Sequence, residues 1–117
     1  MRVMVLVKAT QASETGAFDP GWTADMMAAM GRFNADLQAA GILVTAEGLA
    51  PSAAGKLIAF DGASRTISDG PFANPHELIA GFWLWEVKDI DEAIAWVQRC
   101  PNPMPGPSVI EIRPFHG

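Results

Sequence analysis

Five charged residues close segments that otherwise read as buried strands, and they are the first candidates for chemistry: Lys8, Glu47, Glu86, Glu111 and Arg113. Counted by the two-residue period of a strand, each lies opposite an apolar set: Val3/Val5/Val7, Val44/Ala46, Trp83/Trp85/Val87 and Ile110/Ile112. Three carboxylates and two cations would then look into the space on the far side of the sheet from its core. Charges gathered in a low-dielectric cleft shift one another's pKa, which is how general acids and bases are made. The same gathering also serves as an ion network that holds two subunits in register.

A second candidate is Asp69, within the stretch from Ser68 to Val87. His76 is the nearest histidine in sequence, and a loop that folds back would set the two side by side as a base and its partner. An Asp before Gly-Pro is equally a turn former. Trp83 and Trp85, with Trp22 and Trp96, offer flat faces on which a ligand could stack, although aromatics at strand spacing also make core. Cys100 falls at a helix C-terminus, without the N-terminal dipole that activates a thiolate. No Gly-rich phosphate loop, nucleophile elbow, metal-binding helix or Cys/His cluster occurs, so neither cofactor nor metal is expected.

The elements that must position these residues follow from periodicity. Arg2 to Lys8 reads as a buried strand, and Gln11 to Pro20 as a loop. Asp19-Pro20 opens a helix that runs to about Ala40 and stops at Gly41. Its stripe is Met26, Met30, Phe33 and Leu37, read as core filler. Leu43 to Leu49 is a strand, and Lys56 to Phe60 with Arg65 to Ser68 a hairpin that ends in the Asp69-Gly70-Pro71 turn. Gly81 to Val87 is an aromatic strand. Asp89 and Glu92 cap a helix whose apolar face is Ile90, Ala93, Ile94 and Val97. A Pro-rich loop precedes the last strand, Val109 to Arg113. The order predicts an α+β fold, a ferredoxin-like antiparallel sheet with two helices on one face. The other face, carrying Met4, Leu6, Phe82 and Leu84, calls for a cover, and a second subunit is the expected one.

Composition narrows the function classes. The chain has 117 residues, half of them hydrophobic and 18% charged, which suits a single globular domain over residues 1–117. A formal net charge of −5 with no Lys/Arg run argues against direct nucleic-acid binding. The lone Cys100 excludes an internal disulfide and fits a reducing cytoplasm. MRVMVLVKAT is too short for a membrane span and reads as strand rather than signal.

Asp69-Gly70-Pro71-Phe72-Ala73, Glu77, Gly81, the GFWLWEVKD run, the DEAIAWVQRCP helix, the terminal IEIRP and Ala46-Glu47-Gly48-Leu49 together resemble the DGPF group of the YCII-related family. The resemblance covers nearly the whole chain. It implies a dimeric α+β barrel, cytoplasmic and bacterial in type, whose two sheets close around a shared cavity, and it implies no settled reaction. Some YCII-related proteins carry a His and Asp pair proposed as an active site. Here Asp69 is the counterpart of the Asp, and no histidine lies in the strands or the first helix. Where members usually have a Glu-Thr-Lys-like segment, this chain has Asn74-Pro75-His76. Genes of the group are also associated with alternative sigma factors.

Two functions are therefore expected. One is a lyase, isomerase or hydrolase acting on a small polar or aromatic molecule in the inter-sheet cavity, with Asp69, His76 and Glu47 as catalytic candidates. Lys8, Glu86, Glu111, Arg113 and Trp83 are then the ligand-binding candidates. The alternative is a non-catalytic ligand-binding or regulatory dimer.

Overall fold

Alternating β-branched residues commit the N-terminus to a strand, and in the computed structural model Arg2–Lys8 forms β1, with Val3, Val5 and Val7 buried. The structure describes residues 1–117, the side chain of His76 excepted. The remaining elements are α1 (Gln11–Thr15), α2 (Pro20–Ala39), β2 (Leu43–Gly48), β3 (Lys56–Asp61), β4 (Ser64–Asp69), β5 (Ile79–Glu86), α3 (Ile90–Gln98) and β6 (Ile110–Pro114). β2, β5, β1 and β6 form one antiparallel sheet in that order, the arrangement of two interleaved β-α-β units. Phe33 and Leu37 of α2 and Ala93 of α3 share one buried cluster with Val3, Val5, Trp83 and Trp85, so both helices cover the same face. Among the described residues, no helix is long and apolar enough to cross a membrane.

Aromatic packing fixes how α2 and α3 sit. The Phe33 ring meets Trp83 edge-on at a centroid distance of 6.0 Å and lies 6.3 Å from Trp96 of α3. Trp83 and Trp85 are 5.8 Å apart. Trp85 is fully buried, and its indole N–H has no hydrogen-bond partner among the described residues. Arg99, just past α3, lies 4.2 Å over Trp96 and 3.6 Å from Asp36, a second tie between the helices.

The helix signals act as local chemistry requires. Asp19 accepts from the Trp22 N–H at 3.0 Å with Pro20 in the first turn, and Asp89 accepts from the Glu92 N–H at 2.9 Å. Glu92 reaches back to the Lys88 N–H at 2.7 Å, one residue earlier than a capping box would have it.

Several expectations are corrected. The segment read as a loop contains α1, because Thr10 caps Ser13 and Ser13 caps Thr10 in return, and Gly16 ends the turn at φ 72°. Val44 does not face the helices. The β2/β5 register shifts between Leu43 and Thr45, so Leu43 and Ala46, three apart, both pack inward while Val44 stays 46% exposed. On α3 Ile94 is exposed, and the large indole of Trp96 fills the inward face with Ile90, Ala93 and Val97.

β3 and β4 form a separate two-stranded sheet in which every residue is exposed. Ile58 pairs Ile67 and Phe60 pairs Arg65, whose guanidinium lies 4.4 Å over the Phe60 ring, so one face of this ribbon is apolar.

Candidate functional site

An apolar cleft of about 480 Å³ lies where α1 and α2 stand over the sheet end formed by Ala46, Gly48 and Gly81. Phe18, Met26, Met30, Trp83 and Met104 supply its walls, with Ser13, Asn34 and Glu47 as its polar side chains. A volume of a few hundred Å³ with few polar groups is what small-molecule sites present. Each wall has an identifiable support. Phe18 is stacked on Trp22 at 5.3 Å, Trp83 donates its indole N–H to Asn34 Oδ1 at 2.8 Å, and Thr10 donates its hydroxyl to Met104 Sδ at 3.3 Å.

A neighbouring cleft of about 430 Å³ lies beyond Leu49 and Pro51 and is lined by Glu14, Ser52, Gly55, Phe72 and Glu77. Here a hydrogen-bonded junction explains the Asp69-Gly70-Pro71-Phe72 run. The Ser52 hydroxyl accepts from the Phe72 N–H at 2.9 Å and donates to Glu14, whose other oxygen takes the Ser52 N–H at 2.8 Å. Gly70 donates to Gly55 O at 3.0 Å, and a Cβ on it would sit 1.7 Å from the Ser52 carbonyl oxygen. The Gly70-Pro71 peptide is cis. The motif thus docks the base of the β3/β4 ribbon on the Ser52 turn.

Asp69 is placed differently from a turn former. It is the last residue of β4, 74% exposed in its side chain, and pairs across the ribbon with Lys56 at 2.5 Å. It lines neither cleft, so it is not brought together with Glu47. The backbone of His76 lies in a short 3-10 turn, and its side chain lies outside the described residues.

The five strand charges sit on the side of the sheet away from the helices. Leu6 faces Glu111 and Met4 faces Arg113 across the β1/β6 pair, while Val5 and Ile112, the intervening residues, turn to the core. Lys8 Nζ is 3.1 Å from Glu111 Oε1, and Arg113 holds the other Glu111 oxygen. The Lys8 hydrogen bond first and the Arg113 bond second hold the Glu111 carboxyl below its ordinary range. Glu86 pairs instead with Arg2 at 3.4 Å and with the terminal ammonium at 3.6 Å. Glu47 stands opposite Phe82, exposed, at the rim of the apolar cleft. Trp83 is 5% exposed and serves the core and the cleft wall together.

Periodicity could not find Asn34, Ser13 or Met104, because nothing in their spacing says that they border one cleft. Met26 and Met30, read as filler, do have a legible signal, an unusually Met-rich stripe facing one side. Burial pushes the Cys100 thiol up to about 11, which leaves it a poor nucleophile. Among the described residues no group of His, Cys, Asp and Glu is arranged to hold a metal.

Comparison with known proteins places these features. An uncharacterised protein of Rhizobium meliloti (strain 1021) is 31% identical over 67 residues, 57% of this chain and 54% of that protein. The matched segment thus spans about half the length of the curated relative. A solved structure, 5-chloro-2-hydroxyhydroquinone dehydrochlorinase (TftG) from Burkholderia phenoliruptrix AC1100 in complex with 2,5-dihydroxybenzoquinone, shares the fold. It aligns with a TM-score of 0.52 at 17% identity, covering 100% of this chain and 96% of that one. The family model of the YCII-related domain matches residues 1–116, and the chain belongs to that family.

Proposed function

We propose that this protein binds a small, flat, mostly apolar molecule in the cleft between α1, α2 and the sheet. The observation that carries the reading is the cleft itself: about 480 Å³ walled by Met, Phe and Trp side chains, with three polar ones. Thermal-shift measurement against a panel of small hydroxylated aromatics tests it, since a ligand that binds only the folded chain raises its melting temperature. A panel without a single shift, 2,5-dihydroxybenzoquinone included, would count against it.

A second reading, that the molecule is also turned over, is favoured by the fold likeness to a dehydrochlorinase and by Glu47 at the cleft rim. Glu47 would act as the general base of a lyase or isomerase. Asp69, paired with Lys56 on the ribbon, has no part in it. Glu47→Gln should then abolish turnover and leave ligand affinity within a few-fold.

The binding unit is proposed to be a homodimer in a reducing cytoplasm, closed through the open sheet face. The chain alone exposes 7491 Å², against about 6,200 Å² for a monomer of this size. The excess is comparable to what each partner buries in a stable interface, on the order of 800 Å². Half-buried Met4, Leu6, Phe82 and Leu84 supply its apolar centre, and Lys8, Glu111 and Arg113 its register.

A further inference from the structure

We infer that Asn34 reads the ligand, so that the molecule taken by the cleft is a small flat ring bearing a carbonyl or phenolic oxygen directed at the Asn34 amide nitrogen. This rests on the proposed cleft function and adds the chemistry of recognition to it. The orientation of the Asn34 amide is settled by its neighbour. Indole nitrogen is a donor only, so the atom 2.8 Å from Trp83 Nε1 must be the Asn34 oxygen. A reversed amide would set donor against donor. The two N–H groups of Nδ2 are thereby turned away from Trp83, and among the described residues they have no protein partner.

The other polar side chains of the cleft are already engaged or stand exposed at its rim. The Ser13 hydroxyl donates to Thr10 O at 3.0 Å and accepts from the Thr10 N–H at 2.9 Å. Glu47 is exposed to solvent at the rim of the cleft. Of the polar side chains lining the cleft, Asn34 is thus the one with unengaged donors among the described residues, beside indole and thioether walls, surfaces that favour a polarizable ring. A hydrocarbon filling the cleft would desolvate Nδ2 without replacing its water, whereas an acceptor oxygen restores the bond. Discrimination of about tenfold or more follows from one such bond.

Calorimetric titration of the full chain with 4-hydroxyacetophenone and with 4-ethyltoluene, similar in size but without oxygen, tests this. The wild type is expected to bind the ketone at least about tenfold more tightly. Asn34→Asp keeps an oxygen for the Trp83 N–H while removing both donors, and it should erase the difference. If that variant folds poorly, the wild type still decides: in the nitrogen-15-labelled protein the Asn34 side-chain amide signal should shift with the ketone and not with the hydrocarbon. Equal affinities, with cleft signals shifting for both probes and the Asn34 amide for neither, overturn the inference and leave the cleft as a binding site. Absence of binding by either probe overturns both.

Discussion

At the scale of single residues, the hardest constraint in the chain is Gly70. With its virtual Cβ 1.7 Å from a backbone oxygen, Gly70→Ala must displace the Ser52 turn and break the Phe72 and Glu14 bonds that converge there. A loss of about 3 kcal/mol in chemical denaturation is expected, while Gly106→Ala, which meets nothing within 4 Å, should stay within about 0.5 kcal/mol. Glu111 yields a pH dependence. Its folded pKa is depressed from the ordinary 4.5 by Lys8 and Arg113, so its contribution to stability is present above 4.5 and is lost as pH falls through the lowered value. Glu111→Gln should therefore lower the denaturation midpoint at neutral pH, and the gap from wild type should close in strong acid. A gap that widens on acidification would contradict the assignment.

At the scale of elements, α3 depends on its first turn, since its nine residues are too few to persist without packing and capping. Asp89→Ala removes the acceptor for the Glu92 N–H and should cost about 1 kcal/mol, measured as a shift in the urea midpoint. Asp89→Asn should cost much less, since Asn caps equally well. The β3/β4 ribbon is the opposite kind of element. Its pairing is complete, yet Ile58, Phe60 and Ile67 remain 55%, 72% and 68% exposed, so its apolar face has no cover among the described residues.

At the scale of the whole molecule, the shape is a slab of 46 × 42 × 20 Å. The radius of gyration is 15.9 Å, against about 13.4 Å for a compact domain of this length. The proposed dimer predicts that sedimentation at micromolar concentration gives twice the chain mass. Leu84→Lys, placed on the open face opposite Met4, should return a folded species of one chain mass with unchanged circular dichroism. A wild type that sediments as one chain would refute the pairing.

The sequence by itself determined most of the elements and which side of β1, β5 and β6 is dry. Period-two alternation of Val, Ile and Trp leaves one register that buries them, and a slip of one residue would have put Glu111 and Arg113 beneath α2 and α3. Asp19, Asp89 and Gly41 likewise announced helix ends, because capping is an interaction within a few residues. The bulge that turns Val44 out depends on how β2 meets β5, and the exposure of Ile94 on how far Trp96 reaches, both settled only across the fold. The cleft was illegible for the same reason. Ser13, Asn34, Trp83 and Met104 come from four separate segments, and no local pattern records that they meet at one cleft. Asp69, plausible as a turn or as a base, became the cross-strand partner of Lys56 once the ribbon paired. Contacts between residues distant in sequence are set by packing of whole elements, and that is where this site is made.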